Sequence, residues 1–184
     1  MLECEVAAIR AVAEVEAGPQ GAFLSSGEPV ILYERHVFHR ATSGRFDGEL
    51  VPGIEPEYAE LSSPVPGGYG PSSIQHRKLQ AAVILNRDAA LRSCSWGLYQ
   101  ILGVNHVQAG FALLQGFVSA MYRSTDDHLR AFVMFVRHDW RLAEALKERD
   151  WVTFASIYNG PGFAQNRYDS KMATAYAEFA GANA

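Results

Sequence analysis

The chain has 184 residues, of which 48% are hydrophobic and 20% are charged. These proportions are those of a folded globular domain, and they exclude a disordered or collagen-like chain. The formal net charge is −4 and there is no long basic run, which argues against nucleic-acid binding. The two cysteines, Cys4 and Cys94, lack the spacing of metal ligands, so we predict two free thiols or a single bridge, with no metal and no cofactor.

The N-terminus indicates neither export nor membrane insertion. Glu3 and Glu5 stand where a signal peptide requires basic residues, and no apolar run approaches 18 residues. We therefore expect a chain made in the cytoplasm without a signal peptide.

The first predicted element is a helix over residues 2–17, which Gly18 and Pro19 terminate. Its apolar stripe is predicted to comprise Leu2, Val6, Ile9 and Ala13. Glu16 takes the next step of that stripe, where partial burial would raise its pKa toward that of a general acid. The alternative is a solvated acid at a frayed helix end.

Residues 29–38 are rich in β-branched and aromatic side chains and predict a strand. Strand alternation would place Glu34 and His36 on one face, where Glu34 could be the second carboxylate of a glycosidase pair. The alternative is a buried Glu34 paired with His36 or a neighbouring arginine for structural reasons. Residues 39–72 predict an irregular surface loop, either a lid or a passive connection.

The remainder of the chain is predicted to be helical. The expected helices cover 73–92, 95–102, 106–122, 125–138, 139–148, 150–158 and 166–180. One domain over residues 1–184, mainly α with a small β element after the first helix, is therefore expected; its class is α+β.

Two short motifs could line a sugar-binding cleft. Trp96, Tyr99 and Gln100 combine aromatic faces with an amide, which suits a pyranose ring and its hydroxyls, although ordinary helix packing would also explain them. Tyr158 and Asn159 precede a glycine and could either face a cleft or simply cap a helix.

Taken in order, these segments resemble the lysozyme superfamily. AVAEVEAG at 11–18, SWGLYQI at 95–101 and IYNGPG at 157–162 are similar to motifs of goose-type lysozymes and soluble lytic transglycosylases. The resemblance is greater to the N-acetylmuramidase domains of modular phage endolysins. It extends through three long blocks, which cover residues 14–40, 95–111 and 150–176.

This resemblance implies a lysozyme-like fold and cleavage of the β-1,4 bond between N-acetylmuramic acid and N-acetylglucosamine in peptidoglycan. It implies that Glu16 is the catalytic acid. It also implies substrate-binding roles for Tyr99, Gln100, Tyr158 and Asn159, which match cleft-lining motif positions. To these we add His36 and Trp96 as substrate-binding candidates on the basis of the residue patterns alone. A separate peptidoglycan-binding module, common in such proteins, is expected to be absent from this chain.

Several questions stay open at this point. Hydrolysis could proceed with inversion or retention, and a lytic transglycosylase would form 1,6-anhydro products without a second carboxylate. A non-catalytic wall-binding module and a chitinase or chitosanase are further alternatives. We expect a monomer that reaches the cell wall after the membrane has been permeabilised.

Overall fold

The computed structural model describes residues 2–182. Within this range eight α-helices surround one small antiparallel sheet with strand order β1-β2-β3. The strands are β1 (Ile31–Tyr33), β2 (Cys94–Trp96) and β3 (Ile101–Leu102). The helices are α1 (Val6–Ala17), α2 (Arg35–Thr42), α3 (Gln75–Arg92), α4 (Leu114–Arg123), α5 (Thr125–His138), α6 (Trp140–Glu148), α7 (Trp151–Tyr158) and α8 (Tyr168–Gly181). The prediction of a mainly α chain with a small early β element is confirmed.

Helix α1 buries a different face from the one predicted. Its buried residues are Ala7, Ala8, Ala11 and Val12. By contrast, Val6 of the predicted stripe is 71% exposed. The alanine-rich face packs mainly against α8, and short side chains allow the two backbones to approach closely. The predicted termination is confirmed, because the helix ends at Ala17 and Gly18 follows with a φ of +58°.

The predicted strand over residues 29–38 is wrong beyond Tyr33. Tyr33 is the last residue of β1 to pair with β2, opposite Cys94. The backbone carbonyl of Glu34 then accepts hydrogen bonds from the N–H groups of Val37 and Phe38, which starts α2. Glu34 is therefore a helix N-cap, and His36 lies in the first turn of a helix rather than on the same strand face.

The predicted helix over residues 95–102 is also wrong. This segment forms β2, a single 3-10 turn over Gly97–Tyr99 and β3. Gly97 makes the reversal possible with a φ of +66°, and its N–H donates to the carbonyl of Val30 at 2.7 Å. Pairing with β1 thus overrides the local helical pattern.

The C-terminal helices agree with prediction to within about two residues. Helix α5 begins where a capping pattern was predicted, and the Ser124 hydroxyl accepts from the N–H of Asp127 at 3.2 Å. The predicted helix over residues 106–122 is shorter, because turns occupy the chain until α4 begins at Leu114. Helix α3 contains one non-helical residue, Asn86, whose side chain accepts from the N–H of Ala89.

One hydrophobic core joins the sheet to the helices. Its largest fully buried apolar side chains are Trp96, Tyr33, Phe38, Phe117, Phe132 and Phe154. Both cysteines are free thiols, with Cys94 buried in β2 and Cys4 half-buried before α1. No helix within residues 2–182 combines the length and the apolar character that crossing a bilayer would require.

Candidate active site

A cleft of about 500 Å³ opens where α1 ends, beside the sheet and the start of α8. It brings together Glu16 and Glu34, the two carboxylates predicted from the sequence. Its other polar lining residues are Tyr69, Ser95, Gln100, Asn105, Tyr158, Asn159, Asn166, Tyr168 and Lys171. A concave site in which many polar groups converge beside apolar side chains suits an oligosaccharide.

Glu16 lies in the last turn of α1 and is half-buried. Its Oε1 accepts a hydrogen bond of 2.7 Å from the side-chain amide of Asn159. Burial raises the pKa of Glu16 to about 7, and the hydrogen bond from Asn159 opposes this rise. A substantial fraction of Glu16 is therefore protonated near neutral pH, as a general acid requires.

The neighbouring Tyr158 holds this end of α7 in place. Its hydroxyl donates to the backbone carbonyl of Tyr99 at 2.6 Å, and its ring stacks on Phe154 with 5.2 Å between centroids. Asn159 is the next residue in the chain, so the packing of Tyr158 also fixes the position of the Asn159 backbone from which the side-chain amide extends. The Oδ1 of Asn159 is buried and has no hydrogen-bond partner among the described residues.

Glu34, at the N-cap of α2, is the second carboxylate that lines the cleft. Burial raises the pKa of Glu34, while a hydrogen bond from Tyr69 and the positive charges of Arg40 and Lys78 lower it. Its Oε2 has no hydrogen-bond partner in the described part of the chain. His36 Nδ1 is 3.2 Å from that oxygen, but this contact does not have hydrogen-bond geometry.

His36 does not neutralise Glu34 at neutral pH. Burial lowers the pKa of His36, and the charges of Arg40 and Arg35 lower it further, so the imidazole stays neutral. His36 is absent from the cleft wall. It is therefore a neighbour of Glu34 outside the residues that line the cleft, so the cleft geometry does not support the predicted substrate-binding role.

Tyr168, the first residue of α8, lies close enough to Glu16 and Glu34 for their negative charges to affect its pKa. Burial raises the pKa of its phenol, and the negative charges of Glu16 and then Glu34 raise it further. Neither Tyr168 nor Tyr69 was identified from the sequence. Tyr168 lies within the third family-like block, whereas Tyr69 lies in a glycine- and proline-rich loop that carries no motif.

The Tyr69 loop, residues 65–71, is fastened to the protein through its own carbonyl groups. The Nε of Arg35 donates to the carbonyl of Val65 at 3.0 Å. Gln75 donates to the carbonyl of Tyr69 at 2.7 Å, and the buried Lys78 ammonium donates to the carbonyl of Gly68. This part of the predicted 39–72 loop is thus a fixed wall of the cleft.

Two of the predicted cleft residues lie in the core instead. Trp96 is 1% exposed, and its indole N–H donates to the carbonyl of Leu91 at 3.1 Å. Tyr99 is 4% exposed and stacks on Phe132 with 4.2 Å between ring centroids. Both side chains are occupied by packing and cannot contact a sugar, because β2 and the turn after it run through the core. Gln100 does line the cleft.

The family model for N-acetylmuramidases matches residues 5–180. The chain belongs to the N-acetylmuramidase family. The muramidase is also similar to the crystal structure of a Burkholderia AP3 phage endolysin, with a TM-score of 0.80 and 36% sequence identity. That similarity covers 100% of this chain and 67% of the endolysin chain. No curated protein matches the chain.

These comparisons confirm three predictions for this muramidase. Its fold is lysozyme-like and mainly α, its activity is that of a glycoside hydrolase, and its substrate is peptidoglycan.

Proposed function

We propose that this muramidase hydrolyses the β-1,4 bond between N-acetylmuramic acid and N-acetylglucosamine, with Glu16 as general acid. The observation that carries the proposal is the environment of Glu16. Its carboxyl is half-buried in the polar cleft, its pKa is raised to about 7, and Asn159 fixes its orientation.

The hydrogen bond from Asn159 selects the oxygen that carries the proton. Because the amide N–H occupies Oε1 of Glu16, the acidic proton belongs on Oε2, which is then free to face the glycosidic oxygen. The unpartnered Oδ1 of Asn159 can accept a hydrogen bond from a substrate hydroxyl or N–H. Tyr158 supports this arrangement from the core, and Gln100 offers a further amide to the sugar.

Glu34 is proposed as the second carboxylate. In the hydrolytic step the proton of Glu16 passes to the leaving oxygen while the C1–O bond breaks. A water molecule forms the new bond to C1 and gives its proton to Glu34, whose Oε2 has no other hydrogen-bond partner in residues 2–182. Burial raises the pKa of Glu34, which makes its carboxylate a stronger base, while the hydrogen bond from Tyr69 and the charges of Arg40 and Lys78 oppose that rise and favour the ionised form.

Mass spectrometry of the soluble products from purified peptidoglycan tests this proposal. The parent protein should release fragments with reducing muramic acid ends, and Glu16→Gln should reduce the rate at least about 100-fold. Glu144→Gln is the matched control, since Glu144 is an exposed acid on α6 that lines neither the cleft nor the neighbouring groove. If Glu16→Gln leaves the rate unchanged, the assignment of the acid is wrong.

The same products decide between hydrolysis and the alternative activities. Anhydro ends would identify a lytic transglycosylase and remove the proposed role of Glu34. Faster cleavage of chitin oligomers than of peptidoglycan in a parallel assay would favour a chitinase. No product from the parent protein would favour a wall-binding module. The stereochemistry at C1 of the first product separates inversion from retention.

The biological role proposed for the chain is lysis of a bacterial host at the end of a phage infection. The similarity to a phage endolysin supports this role. The protein is proposed to act as a monomer on the cell wall once the inner membrane has been permeabilised.

A further inference from the structure

A second groove, of about 430 Å³, runs between the end of α1 and the outer face of α8. Lys171 lines both this groove and the active-site cleft, so the two cavities meet at that residue. The groove therefore begins beside the cleft, with Lys171 at their common edge.

The charges in the groove are arranged along α8. Arg167 and Lys171 are four residues apart, are exposed, and form no ion pair with any residue that the structure describes. Glu178 lies seven residues beyond Lys171, which corresponds to about 10 Å along a helix. A second acid, Glu14, reaches the groove from α1. Arg167 and Lys171 thus stand at the cleft end of the groove together with Glu14, which leaves one net positive charge there, and Glu178 stands about two turns farther along α8.

Hydroxyl groups lie between the two charged ends. The Ser170 hydroxyl donates to the carbonyl of Arg167 at 3.2 Å, and the Thr174 hydroxyl donates to the carbonyl of Ser170 at 2.9 Å. Each hydroxyl keeps acceptor capacity for a ligand, because donation uses only its hydrogen. Both face the groove, which is therefore polar along its length.

The substrate carries a chemical group that matches this order of charges. In peptidoglycan the lactyl ether of N-acetylmuramic acid bears a short peptide, with carboxylates near the sugar and a diamino acid farther out. The peptide leaves the ring close to the bond that the proposed reaction cleaves. A carboxylate near the cleft and an ammonium group farther along would meet charges of opposite sign.

We propose that the α1–α8 groove binds the peptide stem of the muramic acid residue, with Arg167 and Lys171 contacting its carboxylates and Glu178 its ammonium group. This inference rests on the proposed function, because it places muramic acid at the cleaved bond. It predicts that the muramidase prefers glycan strands that carry peptides over strands without them.

A comparison of two substrates tests the groove. kcat/KM is measured on intact glycan strands and on the same strands after enzymatic removal of the peptides. Arg167→Glu should lower kcat/KM about tenfold on the intact strands and leave the value on peptide-free strands unchanged. Arg137→Glu is the matched control, since Arg137 is an exposed arginine on α5 with no ion pair to a described residue, and it should change neither value.

The outcomes separate this inference from the proposed function. Equal kcat/KM of the parent protein on both strands, or an equal loss on both with Arg167→Glu, would overturn the groove assignment while leaving the muramidase proposal intact. Absence of cleavage on either strand by the parent would overturn both.

Binding to an inactive variant provides a second measurement that does not depend on a substitution in the groove. Glu16→Gln is titrated with a muramic-acid-containing disaccharide, with and without its peptide. We expect the peptide to increase affinity at least about fivefold at low salt, with a smaller gain at high salt because exposed charges are screened. The same affinity for both ligands would contradict the proposal.

Discussion

Glu16 titrates near neutral pH because the fold removes its carboxyl group from most of the solvent. The pKa of this group is about 7 in the folded protein and 4.5 in its ordinary environment, so the folded state binds the proton more tightly than the unfolded state. The protonated carboxyl of Glu16 makes its full contribution to the free energy of unfolding below pH 4.5, and this contribution is lost as the pH rises through 7. Above that pH, the ionised carboxylate costs the fold on the order of 3 kcal/mol.

Glu16→Gln should therefore stabilise the protein in alkaline solution. We expect the free energy of unfolding at pH 8 to rise by about 1–3 kcal/mol relative to the parent protein, with little change at pH 4. Urea unfolding at the two pH values measures both differences. Glu14→Gln, which removes an exposed acid from the same helix, should show no such pH-dependent gain. A gain of equal size at pH 4 and pH 8 would mean that ionisation is not its cause.

Among the secondary-structure elements, the turn between β2 and β3 depends on one glycine. A Cβ atom at Gly97 would lie 2.6 Å from Cε1 of His128. This imidazole cannot move away easily, because its Nδ1 accepts from the N–H of Leu98 and its Nε2 contacts the carbonyl of Met121 at 2.7 Å.

Gly97→Ala is expected to destabilise the protein by about 2–4 kcal/mol, through steric overlap added to a positive φ. Gly27→Ala is the matched control, since Gly27 has a φ of +85° but open space around it, and about 1 kcal/mol is expected there. Thermal unfolding of the two variants isolates the steric contribution. Equal losses would show that the backbone conformation alone matters at Gly97.

The hydrogen bonds that hold the Tyr69 loop lead to another prediction at the level of secondary-structure elements. Lys78→Met keeps the length of the side chain but removes the ammonium group that binds the Gly68 carbonyl, while Gln75 still binds the carbonyl of Tyr69. Amide hydrogen exchange in residues 65–71 should become about tenfold faster, because one buried carbonyl loses its partner.

Loss of the Lys78 charge should also raise the pKa of Glu34, which shifts the acidic limb of the pH–rate profile to higher pH. Lys147→Met, which alters an exposed lysine on α6, serves as the control for both measurements. Faster exchange in the loop with an unchanged acidic limb would mean that Lys78 holds the wall without influencing Glu34.

The elements that were predicted well are those whose signals are local. Helices α5 to α8 follow from amphipathic periodicity and from caps such as Ser124, because these features act within one or two turns. The segments at 29–38 and 95–102 were mispredicted because strand pairing between Tyr33 and Cys94 decides their conformation from 61 residues apart. Short apolar runs cannot reveal such a partner.

The residues of the candidate site divide in the same way into those that a local sequence signal predicts and those that depend on long-range contacts. Glu16 and Asn159 stand in motifs, so the sequence identified both, although their hydrogen bond spans 143 residues. No sequence motif predicts the interaction of Tyr69 with Glu34. It depends on the hydrogen bonds from distant side chains to the backbone carbonyl groups of residues 65–71, which hold the loop in place. Trp96 was assigned to the cleft because its sequence resembles a motif, while its burial depends on the path of the sheet.

At the scale of the whole molecule, Cys94 provides a probe of global stability. Its thiol lies in the middle strand of the sheet within the single core, and burial raises its pKa well above the ordinary value. In a Cys4→Ser variant, labelling of Cys94 by a disulfide reagent should follow global unfolding, with the same dependence on urea concentration. Labelling that does not change with urea would reveal a local opening of the sheet.

Glu5 accepts a hydrogen bond of 2.9 Å from the hydroxyl of Tyr176, which brings the start of α1 next to the later turns of α8. The opposite ends of these two helices, at Glu16 and Tyr168, meet in the cleft. Helix α1 has 12 residues, so the Glu5–Tyr176 contact lies about 16 Å behind the cleft along its axis. A substitution at Glu5 or Tyr176 would thus act on the cleft only through the two helices, and not through contact with a bound sugar.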